Sequence, residues 1–569
     1  MKRRMVFLLA MGLMGLLWFP YACSSTPTID FYIYYAPNNA RPDFKTLRFS
    51  VFKKHTYPSL KWLIEKHFVN VATPPIELPV FNCDAFEKEK GASPQKPPPE
   101  VFVYVEGLSK ELEDAKANPN SIDGVIRSGY FSLDKACKNG FASIFLAPPG
   151  KISAWSPRGY RENPNITKEL LGELQTKQAP PFMAFSRVGA ASHINKDGLY
   201  WFAGGSQSFS YSEKKGFTSP KNLPVETLAY HHESGLLHKG PSLENPRFFT
   251  TMVSQGSRLA VVEGIDMDGN PVGGDYTDTD KTVTDPKQQK GVFSVIVSIS
   301  KSSYRVLEGF HCPMAQVQKD CANGRVFANT MLLPDKRILV SGGVEYTQAS
   351  DKDPLVWKGQ TQLLLYSPPY TEKASVKVAK PTLLARAGYN ILRLGEWRYL
   401  LIGGYKYGNG RFGFDGATPV SKVELLSYST TLKAWKVEQV SFEPPLPPDF
   451  GRIFAKSIEL SEGKFMISGG VVHMDFDNVK SKPIFAKQAM LIEDSGKTTP
   501  SGGPLFSVAY IDQYPRLFHT LQKLPSGQVL ILGGANRLSY NVQGKLVELS
   551  AEPNKNQIYN PDPFGPFTR

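Results

Sequence analysis

One pattern constrains this chain more than its composition does. Six stretches each open on an arginine, pass through an apolar run, a polar turn and a second apolar run, and stop on glycine. They are SRVGAASHINKDGLYWFAGG, PRFFTTMVSQGSRLAVVEG, GRVFANTMLLPDKRILVSGG, ARAGYNILRLGEWRYLLIGG, GRIFAKSIELSEGKFMISGG and PRLFHTLQKLPSGQVLILGG. The arginines are Arg187, Arg247, Arg325, Arg386, Arg452 and Arg516. In five copies the second glycine of a pair follows eighteen residues later, at Gly205, Gly343, Gly404, Gly470 and Gly534. The second copy is one residue shorter and carries Glu263 before Gly264. Each copy reads as a β-hairpin: two apolar strands joined by a turn such as KDG, PDK, SEG or PSG. The closing glycines permit backbone angles and close approaches that a side chain would block.

More follows the glycines. TQLLLYSPPY, SKVELLSYSTTLKAW and KNQIYNPDP place Tyr366, Tyr428 and Tyr559 23 to 25 residues beyond the pair, as the ends of third strands. Trp435, seven residues after Tyr428, then opens or lies in a fourth. A four-stranded antiparallel sheet has two faces to cover, and copies spaced about 60 to 80 residues apart can cover them by stacking round an axis. The order arginine, apolar strand, glycine pair, tyrosine, tryptophan resembles the kelch repeat family, and PRLFHT, with Arg516 and His519, is the closest local match. The resemblance spans residues 181–569 and implies an all-β fold, a six-bladed kelch-like β-propeller. It says little about function. The units are longer than usual kelch repeats, which implies long loops, and the second and fifth lack a clear tyrosine-ended strand. The chain stops at NPDPFGPFTR, just past the third strand of the sixth copy. The missing outer strand is therefore expected from upstream of Arg187, within the linker 151–180 between GKISAWSPRG and LLGELQTKQ. A seventh blade built partly from residues before 180 is the alternative.

The N-terminus reads as a targeting segment, residues 1–23. MKRR precedes MVFLLAMGLMGLLWF, an apolar run too short to span a bilayer and suited to a signal peptide. Cys23 in PYACSS, after a small residue, resembles a bacterial lipoprotein signal. That implies lipid on Cys23, a membrane partner reached through the anchor, and residence at the outer membrane or in the periplasm. Pro20 stands where such signals usually carry leucine, and ordinary cleavage near residues 22–24 with loss of Cys23 is the alternative. Residues 24–150 lack the repeat arginines but contain the strand-like runs IDFYIYYA, TLRFSVF, EVFVYVEGL, SGYFSLD and FASIFLAPPG, broken by the loop EKGASPQKPPPE. They suggest a small β-sandwich-like domain, similar to immunoglobulin-like modules of exported bacterial proteins. The clearest helical period in the chain is Ser59–His67. With Cys23 set aside, four cysteines remain, and their natural pairing in an oxidising compartment is Cys83 with Cys137 and Cys312 with Cys321.

Function is less constrained. The formal charge of +14 is scattered and no arginine-rich tract occurs, so nucleic acid is not an expected partner. The repeat arginines are expected to hydrogen-bond backbone carbonyls between blades. Tyr230, His231 and His232 are the only local resemblance to copper radical oxidases of the galactose oxidase type. Those enzymes need a free cysteine, which two disulfides would consume. Periplasmic sialic acid epimerases are also kelch propellers, but no acid–base residues for that chemistry can be placed. Asp266, Asp268 and Asn270 alternate like the start of a calcium loop without the closing glutamate. No GxSxG, HExxH or phosphate loop occurs. The expectation is a monomeric binding module with no cofactor, metal or catalytic residue, taking a protein or glycan ligand. The contact surface is expected on the loops after the glycine pairs, at Tyr405, Tyr407, Arg411, Phe412 and Phe414.

Overall fold

The computed structural model describes residues 29–155 and 187–561, with gaps inside both spans, the longest at 84–100, 279–304 and 308–326. Cys23, Cys312, Cys321 and Arg325 lie outside the described residues, as do His232 and the Asp266–Asn270 loop. The chain is all-β, built of many antiparallel sheets. Among the described residues no helix is long and apolar enough to cross a membrane.

The N-terminal region packs a five-stranded sheet against a two-stranded one. Strands β1 (Asp30–Tyr35), β2 (Thr46–Phe52), β3 (Leu63–Asn70) and β4 (Phe102–Leu108) are followed by helix α1 (Leu112–Ala117). Then come β5 (Gly124–Arg127), β6 (Phe131–Ser132), α2 (Leu133–Asn139) and β7 (Phe141–Leu146). The order in the larger sheet is β3-β2-β4-β5, with β6 also on β4, and the smaller is β1 paired in parallel with β7. Phe31, Phe49, Phe81, Val103, Ile144 and Leu146 fill one core between them. This departs from the immunoglobulin-like expectation: the second layer is one parallel pair, and two short helices carry chain between strands. The helical period at Ser59–His67 is also overruled, because Leu63–Asn70 pairs residue for residue with β2. Pairing buries alternate residues of this segment against a neighbour that an isolated helix would lack.

Cys83 and Cys137 form a disulfide with a Cα separation of 5.7 Å, tying the α2 turn to the segment after β3. Glu106 on β4 lies between Arg48 on β2, 2.5 Å away, and Arg127 on β5, 2.9 Å away, with all three side chains buried. A one-residue slip of either neighbour would leave Glu106 charged and unpaired, so this triad penalises wrong registers.

The six repeats each carry one four-stranded antiparallel sheet in consecutive order. Their first strands are Val188–Ile194, Thr251–Gln255, Asn329–Leu332, Asn390–Gly395, Lys456–Ser461 and Thr520–Lys523. Tyr366, Tyr428 and Tyr559 lie in third strands, and Trp435 in the fourth strand Ala434–Val440. In the sixth sheet, strands Thr520–Lys523, Val529–Leu532 and Gln557–Asn560 are joined by β8, Lys151–Ala154, from the segment GKISAWSPRG. Ser153 sits opposite Ile558 and Ile152 opposite Tyr559. The N-terminal region is seated on this sheet rather than trailing from it. The Asn560 side-chain amide donates to the carbonyls of Arg127 and Ala147 at 3.0 and 2.8 Å, and Gln528 donates to Phe145 at 3.2 Å.

Two sets of backbone hydrogen bonds run from unit to unit. The second glycine N–H of one repeat donates to the arginine carbonyl of the next: Gly205 to Arg247, Gly343 to Arg386, Gly404 to Arg452 and Gly470 to Arg516, at 2.7–3.1 Å. Gly534 of the sixth donates to Arg187 of the first, at 2.9 Å. The residues two positions after the arginines do likewise: Phe249 to Gly189, Gly388 to Phe327, Phe454 to Gly388, and Gly189 to Phe518 at 2.8 Å. Both sets return from the last unit to the first.

Candidate functional site

The repeat arginines are structural. Arg247, Arg386, Arg452 and Arg516 are at most 2% exposed. Arg187, Arg386 and Arg516 donate through Nη1 to the carbonyl of their own first glycine, at 3.2, 3.3 and 3.0 Å. The fork also reaches the start of its own third strand: Arg386 donates to the Lys422 carbonyl at 3.0 Å, Arg452 to that of Gln488 at 2.5 Å, and Arg516 to that of Lys555. The expectation of carbonyl partners holds, but they belong to the arginine's own sheet rather than to its neighbour. The inter-unit bond is made instead by the arginine's backbone carbonyl.

Two positions further on, every described repeat turns into the left-handed region: Gly189, Phe249, Phe327, Gly388, Phe454 and Phe518 have φ between 54° and 68°. For phenylalanine this costs about 1–2 kcal/mol each, offset by about 1.5–3 kcal/mol for burying each ring. The turn aims the four rings at one another, with centroids 4.8 Å apart for Phe249–Phe327 and Phe327–Phe454, 4.6 Å for Phe249–Phe518 and 4.3 Å for Phe454–Phe518. Glycine makes room at the other two places. A Cβ on Gly189 would stand 2.7 Å from the Phe249 ring, and one on Gly388 2.6 Å from that of Phe454. Four rings therefore form an aromatic floor where the six first strands begin.

On that floor lies a cavity of about 450 Å³ including its mouth. Its walls come from the third and fourth positions after the arginines, among them Thr250, Thr251, Asn329, Tyr389 and Lys456. Lys456 is the only charged residue lining it, and burial lowers its pKa. Asn329 Nδ2 donates to the Tyr389 carbonyl at 2.8 Å, Thr251 Oγ1 to Thr330 Oγ1 at 2.8 Å, and the Tyr389 and Ser341 hydroxyls meet at 2.6 Å. His519 is fully buried, packed where a Cβ on Gly469 would clash, and neither ring nitrogen has a hydrogen-bond partner in the structure. Burial, then the nearby cations Arg516 and Lys456, hold its pKa well below the usual histidine value.

The loops that follow the glycine pairs begin as two-stranded ribbons: Val344–Thr347 with Val356–Gly359, Tyr405–Lys406 with Thr418–Pro419, and Val471–His473 with Ile484–Phe485. The loops of the first and sixth units share one sheet, in which Ser208–Ser212 pairs with Leu546–Ser550. Tyr407, Arg411, Phe412 and Phe414 lie outside the described residues. Tyr405 does not belong with an exposed patch: it is fully buried. Its N–H and C=O both bond Ala387, at 3.0 Å, and its ring packs on Phe454 at 5.4 Å. The residue straight after a glycine pair continues the strand against the position after the arginine, as Val471 does with Ile453 and Ala535 with Leu517. It is therefore core in each of these repeats.

Sequence reasoning passed over Lys456 and the aromatic floor. A signal was available: two places after the arginines the six copies read Gly, Phe, Phe, Gly, Phe, Phe. Among the described residues no three His, Cys, Asp or Glu side chains come together as metal ligands would. Tyr230 and His231 lie in the third strand of the first sheet, Glu226–His231. No protein-family model matches the chain, and no curated protein matches it.

Acidification is expected to destabilise the fold. Burial holds His193 at about 4, against 6.5 when exposed, and holds His519 low as well. The unfolded chain thus binds more protons in this range. Stability is complete above about pH 6.5 and is lost as pH falls through it. His193 alone should remove about 2 kcal/mol between pH 7 and pH 5. Urea titrations at the two pH values check this; equal midpoints would contradict it.

Proposed function

We propose that this chain is an exported, monomeric binding module: a six-bladed kelch-like β-propeller behind an N-terminal β-domain. A lipid on Cys23 would hold it to the membrane, at the outer membrane or in the periplasm. The observation that carries the architecture is the return of both hydrogen-bond series from the sixth repeat to the first, together with β8 completing the sixth sheet. Six blades of one topology send their post-glycine loops to one face, where Tyr407, Arg411, Phe412 and Phe414 would meet a protein or glycan ligand. Tyr405 is withdrawn from that surface and given to the hub. Cys312 and Cys321 would close a second disulfide.

The test compares the purified chain with a variant whose residues 407–414 are replaced by a short Gly-Ser turn. Each is mixed with envelope fractions left intact, protease-treated or periodate-treated. The chain should bind the intact fraction and lose binding after one of the two treatments, and the loop variant should bind at least about tenfold more weakly. Equal binding by the variant, or stoichiometric copper with a turnover lost on His231→Ala, would overturn the proposal in favour of an enzyme.

A further inference from the structure

We propose that the hub cavity is a binding site for a small organic monocarboxylate, its anionic group held by Lys456 and its apolar part laid on the phenylalanine floor. Lys456 starts the first strand of the fifth sheet and is the only charged residue in the cavity lining. Among the described residues its ammonium group has no hydrogen-bond or ion-pair partner, and no acidic group offsets its charge. A half-buried ammonium without a counter-charge is costly in a packed interior. The surroundings add to the positive potential. Arg516 and Lys456 both act on His519 electrostatically, and His519 stays neutral between them. In a low-dielectric enclosure such a field favours an anion strongly.

The other walls select the kind of anion. Asn329 spends one amide hydrogen on the Tyr389 carbonyl and keeps a second. One cation and one spare amide hydrogen match a single carboxylate rather than a dianion. The floor, formed by Phe249, Phe327, Phe454 and Phe518, offers ring faces and no polar atom, so the rest of the ligand should be apolar or aromatic. The cavity's size falls in the range of small-molecule sites. The site rests on the ring of repeats proposed above but not on the loop face, so either can fail alone.

Benzoate and its neutral counterpart benzamide are the probes, with binding to the full chain followed by saturation-transfer NMR and calorimetry. Benzoate should bind saturably and benzamide at least about tenfold more weakly. Lys456→Met should weaken benzoate by at least about tenfold while leaving the melting temperature equal or higher, since an apolar isostere removes a lone buried charge. In the unaltered protein, benzoate should slow acetylation of Lys456 by acetic anhydride more than that of exposed lysines, a readout that needs no variant to fold. Equal binding of benzamide, undiminished binding to Lys456→Met, or no benzoate binding at all would each overturn the proposal. Phosphate binding that depends on Lys456 while benzoate fails to bind would also overturn it, by making the site one for inorganic anions.

Discussion

Replacing β8 residues Ile152 and Ser153 together with proline should strip the sixth sheet of its outer strand and cost the fold about 3 kcal/mol or more. Residues in an antiparallel pair alternate between hydrogen-bonded and non-hydrogen-bonded positions, so two adjacent prolines must remove at least one ladder bond. The partner strand, Gln557–Asn560, would then become an open edge. Its inward residues Ile558 and Tyr559 are at most 3% exposed, and the same segment carries Asn560, which holds the N-terminal region through Arg127 and Ala147. Limited proteolysis with mass spectrometry should find the first cuts between residues 515 and 561, and size-exclusion chromatography should show association through the bared edge. A double variant that stays monomeric and resists cleavage like the parent would refute this role for β8.

Arg516→Met should lower stability by about 3–5 kcal/mol, read as the loss in urea unfolding free energy. The guanidinium group is almost wholly buried and donates to the Gly533 carbonyl at 3.0 Å, the Gln557 side-chain oxygen at 2.9 Å and the Lys555 carbonyl. Methionine replaces much of the volume, so the loss reports mainly on acceptors left without a donor, each costing about 1–3 kcal/mol. Burial moves Arg516 down to about 10, which still leaves it cationic at neutral pH. Arg516→Lys should rescue little, because a point ammonium cannot span the end of the second strand and the start of the third as a planar fork does. A loss below about 1 kcal/mol would mean that water or neighbouring groups replace the fork readily.

The hairpins were legible in the sequence because their signals are local: alternating apolar runs, turn residues and a glycine pair at fixed spacing. The Cys83–Cys137 pair was legible from cysteine arithmetic. The hub was not, because what matters there is which side chains from different repeats meet. Phe518 touches Phe249 and Phe454 across large sequence separations, and no periodicity within one repeat reveals that. Tyr405 misled for the opposite reason. It opens an aromatic, glycine-rich stretch that looks like an exposed loop, yet its backbone pairs with Ala387 and draws it inside. Leu63–Asn70 became a strand against its local helical period because β2 offered a whole ladder of partners. In each miss, a contact distant in sequence outweighed a local preference.

The origin of β8 sets the timing of folding. Asn560 and Ala147, 413 positions apart, hold the junction between the N-terminal region and the last sheet. At roughly 5–20 residues per second of synthesis, the earlier partner waits about 20–80 s for the later one. Until then the N-terminal region can pack its own core, but the final sheet lacks a flank and the hydrogen bond from Gly534 to Arg187 has no donor. A chain cut short anywhere before its last strand therefore keeps an unfinished seam, which makes the seam a built-in check that the whole polypeptide has been made.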